Sequence, residues 1–216
     1  MIIALVGPPA SGKGTQARIM EEKFGLKALS TGEMLRTAVE EKTKIGIRVE
    51  ERMASGDLVP DDLIVAMVAE RIEELDCASG VILDGFPRTL SQARMFDEYL
   101  AERGMALNLV ILFEADDEAM VKRISGRFSC ARCGEGYHDV NKPPDREGVC
   151  DICGGRRFRR RADDNPETVR HRLEDYHVQT EPLLLFFREK GVLESVDAMA
   201  DIEQLELEME SVMEAT

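Results

Sequence analysis

The chain is short of positive charge and of long apolar runs, and each shortage closes off a class of function. Acidic residues number 42 against 28 lysines and arginines, a formal net charge of −14. Most of such a surface repels a polyanion, which argues against nonspecific nucleic-acid binding. No apolar stretch approaches the ~20 residues that a bilayer-spanning helix needs, so no membrane partner is expected. Met1 leads into an apolar segment with no basic leader or cleavage site, which predicts no secretory signal and a reducing cytoplasmic setting. Internal repeats and low-complexity linkers are also missing. What is present is 216 residues, enough for one full core carrying small inserts. Acid gathers around residues 40–51 and 201–214, where a solvated helix face accounts for it. Basic residues gather instead at Arg156-Arg157-Phe158-Arg159-Arg160-Arg161.

The most informative segment is Gly7-Pro8-Pro9-Ala10-Ser11-Gly12-Lys13-Gly14-Thr15, which directly follows the apolar run at residues 1–6. A buried strand that breaks at glycine and turns straight into a helix aims backbone N–H groups and the positive end of the helix dipole at one point. Lys13 adds a mobile cation there, and the Thr15 hydroxyl is placed to reach a phosphate or its magnesium shell. The strict pattern wants Ser or Thr immediately after the lysine, whereas Gly14 intervenes. An ordinary glycine-rich turn is the competing reading; the strand before the motif and the helical pattern after it favour phosphate.

Short β-type runs at residues 2–6, 81–83, 107–113 and 192–196, with a weaker one at 26–29, alternate with helical patterns. One helix is expected over residues 63–75, with Leu63, Met67, Val68 and Ile72 on its apolar face; another spans 166–190, opened by Pro166 and kinked or ended by Pro182. The pattern predicts an α/β fold, a P-loop doubly wound parallel sheet of about five strands with ligands at the strands' carboxyl ends.

Two segments do not fit that pattern and read as inserts. Residues 30–59 are helical and charged, with Ser30 or Thr31 expected to cap a helix that has Glu33 in its first turn. Residues from 123 to about 162 hold Cys130-x2-Cys133-x16-Cys150-x2-Cys153, the spacing of a four-thiolate zinc site that substitutes for a core too small to build. Disulfides are the alternative; the reducing compartment and the glycines after both pairs, Gly134 and Gly154, favour metal. Cys77 reads as a small buried hydrophobe. Four cysteines already close a metal site, so His138 is left with a nucleotide contact or no role, and His171 and His177 with solvated or helix-packing roles.

Asp84-Gly85-Phe86-Pro87-Arg88 ends the third strand, where a doubly wound fold presents its site. A carboxylate there can hold the waters of a magnesium ion, and Arg88 can bind phosphate bidentately. Alone, the pentapeptide could be a turn followed by a surface arginine. Together with Lys13, Arg123, Arg127, Arg161 and Arg172 it predicts cations converging on several phosphates, the charge cover that phosphoryl transfer needs.

These residues make the chain resemble bacterial adenylate kinases of the long form with a zinc-bearing lid. The resemblance covers nearly the whole chain. It rests on residues 7–16, Ser30-Thr31-Gly32-Glu33-Met34-Leu35-Arg36, Ser55-Gly56-Asp57-Leu58-Val59-Pro60, residues 84–88 with Gln92, Gly126-Arg127, Tyr137-His138, Arg161-Ala162-Asp163-Asp164 and Thr168-Val169-Arg170-His171-Arg172-Leu173. It implies reversible transfer of the γ-phosphoryl of ATP to AMP giving two ADP, with magnesium and structural zinc, in a monomer. It further implies a core of residues 1–29, 60–122 and 163–216, a mobile acceptor-binding insert at 30–59 and a mobile lid at 123–162. ATP would lie on Ala10, Ser11, Gly12, Lys13, Gly14 and Thr15, covered by Arg123 and Arg127 with Gly136 and Tyr137 beside them. AMP would lie against Thr31, Arg36, Asp57, Leu58, Val59, Gly85, Phe86, Pro87, Arg88 and Gln92, whose amide would read an adenine edge. Arg161 and Arg172 would bridge the phosphates in transit, while Asp163 and Asp164 anchor the closed lid. Two departures stand out. Ala10 replaces the usual glycine, a mild change if its backbone angles are ordinary. Ala198-Met199-Ala200 occupies the place of a glycine near the donor adenine, with Ala200 as the candidate contact. The alternatives are a UMP/CMP or GTP-using kinase, against which Thr31 and Gln92 argue, and a noncatalytic zinc-knuckle protein binding nucleic acid through residues 156–161, which explains neither Asp84 to Arg88 nor the acidity.

Overall fold

The computed structural model describes residues 1–55, 57–161 and 164–215, with Leu75 described in its backbone alone. Five strands, β1 (Ile2–Val6), β2 (Lys27–Ser30), β3 (Val81–Asp84), β4 (Leu109–Glu114) and a late strand at Leu193–Asp197, form one sheet. Numbered in chain order that late strand is β8, and the spatial order is β2-β3-β1-β4-β8, every pairing parallel. β1 therefore lies between strands reached in opposite directions along the sheet. That switch point opens a crevice at the carboxyl ends.

Helices cover both faces: α1 (Lys13–Phe24), α2 (Thr31–Glu40), α3 (Lys44–Ser55), α4 (Asp61–Ile72), α5 (Leu90–Glu102), α6 (Asp117–Ser125), α7 (Pro166–Asp175), α8 (Leu183–Glu189) and α9 (Ile202–Glu214). Two-residue alternation divides β1 between two cores. Ile2, Ala4 and Val6 face the cluster that includes α4, α5 and α8, whereas Ile3 and Leu5 join Met20, Phe113 and Met209 from the other side. Each large side chain so buried contributes about 1.5–3 kcal/mol. The expected face of α4 is rotated: Ile64, Val65, Val68 and Ala69 are buried, while Leu63, Met67 and Ile72 are only partly so. The helix starts earlier than the apolar run suggests, and its buried face also meets α5.

Pro182 acts as expected. It cannot donate a backbone hydrogen bond, and α7 passes through a π-helical turn at Tyr176–Thr180, where Glu181 N donates to Tyr176 O at 2.9 Å, before α8 begins. The expected caps at the start of α2 are not made. Ser30 is the N-cap but makes no side-chain cap bond, and the Thr31 hydroxyl donates instead to Gly85 O at 3.1 Å.

Residues 127–159 carry a separate antiparallel sheet of β5 (Arg127–Cys130), β6 (Gly136–His138) and β7 (Phe158–Arg159), in the order β6-β5-β7. Its interior is small. Cys130, Tyr137 and Cys150 are buried, with Phe128, Cys133, Cys153 and Phe158 packed around them.

Candidate active site

The turn between β1 and α1 builds one end of the site. Gly12 is the N-cap of α1 at φ 94°, a left-handed conformation that glycine adopts without steric cost. The first N–H groups of a helix lack the usual carbonyl four residues back and so suit an anion; here Thr15 N already donates to Gly12 O at 3.0 Å. Lys13 Nζ reaches back across the loop to Gly7 O at 2.8 Å, Pro8 O at 2.7 Å and Ser11 Oγ at 3.1 Å. Desolvation pushes its ammonium down to about 7; Asp84 offsets part of this, and Arg88, Arg172 and Arg127 add to it. A cation with these neighbours gains when a phosphate arrives. Ala10 departs from the expectation of ordinary angles: its φ is 67°, a region that costs a residue with a Cβ about 1–2 kcal/mol.

Asp84, at the end of β3, faces the start of α1 so closely that a Cβ on Gly14 would lie 3.1 Å from Asp84 Oδ2. Arg88 is held by three neighbours. Its Nε donates to Gly85 O at 2.8 Å, its backbone N to Gln92 Oε1 at 2.8 Å, and its carbonyl accepts from Thr180 Oγ1 at 2.8 Å.

These groups line a cleft of about 960 Å³, and all six predicted loop residues, Ala10 to Thr15, border it. Arg127, Gly136 and Tyr137 border it from the small sheet, and Arg123, Arg161, Arg172 and Ala200 line it too. Arg123 Nη1 donates to Ala198 O at 2.8 Å, tying α6 to the segment after β8. Arg127 Nε donates to Asp164 Oδ2 at 2.7 Å, and Nη2 meets the other oxygen of this nearly buried carboxylate. Asp163, expected beside it, lies outside the described residues, as does Ala162.

A second cavity of about 70 Å³ adjoins the first and shares Gly32, Arg36, Leu58, Gly85, Arg88 and Arg172 with it. Thr31, Asp57, Val59 and Gln92 line this smaller cavity. Pro87 lines the large cleft. Phe86 lines neither: its side chain is fully buried, edge-on to Phe96 at 5.0 Å between centroids, so it belongs to the core. The Gln92 amide is already engaged, since Nε2 donates to Asp61 Oδ1 at 2.8 Å while Oε1 holds Arg88 N. A base edge could use only its second amide hydrogen and remaining lone pair.

Among the described residues the four cysteines come together, their sulfurs within 4.8 Å of one another. Sγ–Sγ distances are 3.6 Å for Cys130–Cys153 and 3.5 Å for Cys133–Cys150. A disulfide would need about 2.05 Å, whereas sulfurs about 2.3 Å from a tetrahedral zinc stand ~3.8 Å apart. The set is free thiol and compatible with zinc. His138 borders the large cleft and also makes structural contacts. Its Nε2 is 2.8 Å from Arg123 O, and Nδ1 accepts from Val140 N and Asn141 N at 3.1 Å, which ties β6 to the end of α6. His171 is not merely solvated: Nε2 meets Asp57 Oδ1 at 2.9 Å, and the carboxylate raises the imidazole pKa above 6.5. His177 pairs with Asp117 and Glu181. Cys77 is buried, as expected.

Sequence reasoning missed Asn141, Lys142, Asp175, Tyr176 and Thr180, which also line the large cleft. The last three follow Arg172 on the same helical run, but only the π-helical turn decides which of them face inward.

A parallel sheet with a glycine turn at its switch point, a lysine inside that turn, and arginines from several segments around one cleft define a P-loop nucleotide phosphotransferase. A family model described as Adenylate kinase matches residues 5–192. Adenylate kinases from Rhizobium rhizogenes and Allorhizobium ampelinum are 51% and 49% identical over 213 residues, each alignment covering 99% of both chains. One from Magnetococcus marinus is 50% identical over 202 residues, 94% of each chain. The chain belongs to the adenylate kinase family.

Proposed function

We propose that the protein transfers the γ-phosphoryl of MgATP to AMP, reversibly giving two ADP, in a cleft covered by two inserts. The observation that carries this reading is the joint placement of Lys13, Asp84, Arg88, Arg127 and Arg172 around one cleft, with a second cavity opening on the Arg88 and Arg172 side. One end of the cleft suits a triphosphate and the other a monophosphate.

In this reading residues 1–29, 60–122 and 163–216 are the core, 30–59 the acceptor insert and 123–162 the lid. The loop from Ala10 to Thr15 holds the ATP phosphates by backbone N–H groups, and Lys13 leaves its carbonyl partners for the transferring phosphoryl. Arg123, anchored on Ala198 O, covers the donor nucleoside with Gly136, Tyr137 and Ala200. Arg36 and Arg88 hold the AMP phosphate, while Thr31, the chain at 57–59, residues 85–87 and Gln92 line its nucleoside side. Arg161 and Arg172 span donor and acceptor, and Asp164 keeps the Arg127 fork oriented. Asp84 through water, and the Thr15 hydroxyl, would hold magnesium, which when bound supplies charge neutralisation between the β- and γ-phosphates. No covalent nucleophile is needed, because alignment and charge cover perform the catalysis. Covering the cleft excludes water, which would otherwise take the phosphoryl group.

The four thiolates would hold zinc, which would complete the lid in place of a core that a cluster of three buried apolar residues cannot make. The basic run at 156–161 is partly neutralised within the protein, Arg159 by Glu40 and Arg160 by Asp139, which disfavours a nucleic-acid role. Among the described residues no helix is long and apolar enough to cross a membrane. A cytoplasmic monomer suits the free thiols.

A transfer assay pairing ATP or GTP with AMP, UMP or CMP, with zinc quantified on the same sample, tests the reading. ADP formed preferentially from ATP and AMP supports it; preference for UMP or CMP moves it to a sister kinase, and transfer to none overturns it.

A further inference from the structure

Arg18 lies on α1, outside the set of arginines assigned to phosphates. Its guanidinium meets groups from two other segments. Nη1 is 3.1 Å from Glu135 Oε2 and 3.5 Å from Cys133 O, both on the turn that links the first two cysteines to β6. Nη2 is 3.7 Å from Glu33 Oε2 on α2. Glu135 is the more enclosed carboxylate, its side chain 12% exposed, and its other oxygen accepts from Lys142 Nζ at 2.6 Å. Between the two carboxylates lies Gly134, at φ 75°. A Cβ there would stand 2.7 Å from Glu33 Oε1 and 2.8 Å from Arg18 Nη2. The positive φ favours glycine, and a side chain there would push these two flexible side-chain ends aside. A second tie, Arg159 to Glu40, joins the same two segments further along.

We propose that Arg18 is a positioning residue, a three-way clasp that holds the lid and the acceptor insert shut together over the cleft. This rests on the phosphotransferase reading above and goes beyond it by naming what couples the two inserts. A guanidinium is a rigid planar fork, so pairing one edge with Glu135 pre-orients the other for Glu33. Closure of either insert thereby lowers the entropic cost of closing the other. Without Arg18, Glu33 and Glu135 would meet as like charges at the same place, so the node also opposes a closed state that lacks it. The contacting turn is set by the cysteine knuckle, where Gly134 N donates to Cys130 O at 3.0 Å and Cys130 N to Glu135 O at 2.8 Å. The four-thiolate site thus shapes the surface that the clasp grips. Arg18 touches no reacting atom in this account; it acts through the lid and insert.

The test uses the full-length, zinc-loaded protein with labels on unnatural residues at the exposed positions Asp145 and Glu50. Distance distributions are recorded without nucleotide in wild type, Arg18→Met, Arg18→Lys, Glu135→Gln and the Arg18→Met/Glu135→Gln pair. Arg18→Met is expected to lower the closed population about three- to tenfold, the range for two partly exposed charge pairs, with thermal stability unchanged. Arg18→Lys, which keeps the charge but loses the fork, should recover part of it, and the double variant should add little to Arg18→Met. With substrates, KM for both nucleotides rises while kcat stays level or increases, and the factor by which AMP tightens binding of a nonhydrolysable ATP analogue falls by a similar amount. An unchanged distance distribution in Arg18→Met, or additive effects of the two substitutions, overturns the clasp. The distance measurement needs no substrate, so a wild type that closes through Arg18 yet transfers no phosphoryl would overturn the proposed function and leave the clasp standing.

Discussion

The Lys13 end of the cleft and the cysteine cluster beside the small sheet both hold chemically demanding groups, but they are held by different means. Lys13, at the start of α1, and Asp84, at the end of β3, sit at the carboxyl end of a sheet whose central strands β1, β3 and β4 are buried on both faces: Ile3, Leu5, Val110 and Ile111 are among its fully enclosed residues. That packing keeps the loop in place even with a non-glycine residue at positive φ and an ammonium depressed to about 7. The knuckle's apolar cluster has three buried residues and a ring of aromatics, Phe128, Tyr137 and Phe158, at 5.4–5.6 Å between centroids. So little apolar surface cannot offset the entropy of ordering some thirty residues, at about 1–2 kcal/mol each, and four converging thiols compatible with zinc offer the ligands of a metal that would make up the difference. One region can afford electrostatic strain because its fold is supplied elsewhere; the other has none to spare.

The largest expected effect lies at the first region. Lys13→Ala should lower kcat by about 100-fold or more, while its melting temperature is equal to or above that of the wild type, because a desolvated ammonium is removed. Steady-state kinetics and calorimetry on the same preparation check both. If Lys13→Ala unfolds at much lower temperature, the loop depends on Lys13 and the contrast between the regions fails.

Next comes the knuckle. Cys150→Ser, or zinc removal by a chelator, should abolish hydrogen-exchange protection in β5, β6 and β7 while β1, β3 and β4 keep theirs. Turnover should fall by about tenfold or more, since misplacing reacting groups by an ångström can cost 100-fold. Exchange read by mass spectrometry settles it, and loss of protection in the core sheet would show the two regions to be one cooperative unit.

A smaller effect belongs to the contact between insert and core. The His171 pKa is raised by Asp57 first and then by Asp175, and the Asp57 pKa is lowered by His171 and by Ser55. The imidazole's contribution is therefore complete below its unreacted value of 6.5 and is lost as pH rises through the raised folded value. The carboxylate's contribution is complete above 3.8 and is lost as pH falls through its lowered value. Both side chains are more than two-fifths exposed, so the effect is modest. KM for AMP should rise about two- to threefold as pH climbs through the window above 6.5, and His171→Gln should flatten that profile. An unaltered profile in the variant would remove the pair from insert closure.

Smallest of all, Ala10→Gly relieves a left-handed conformation but returns chain entropy to the unfolded state. The two terms nearly cancel, leaving at most about 1 kcal/mol of gain, or ~2–4 °C in melting temperature. A clear loss of stability by calorimetry would mean that the Ala10 methyl packs rather than strains.

Local chemistry was readable in the chain. The glycine turn after an apolar strand, the paired CxxC spacings, the carboxylate and arginine at the end of β3, and Pro166 at a helix start each depend on residues adjacent in sequence. So the parallel α/β architecture, the cleft and the thiol cluster could all be anticipated. What the sequence alone left undecided depends on residues far apart in it. The left-handed Ala10, Phe86 turned into the core and the Gln92 amide held by Asp61 and Arg88 follow from neighbours that the folded sheet supplies. The π-helical turn that aims Thr180 at Arg88 combines a local proline with such long-range packing. Arg18 is the extreme case: one arginine among many in the sequence, it meets Glu33 and Glu135 because three segments of the chain converge on the same cleft. Backbone preference and metal-ligand spacing act over a few residues and are written locally, whereas close packing and charge pairing act over a few ångströms and exist only once the chain has folded.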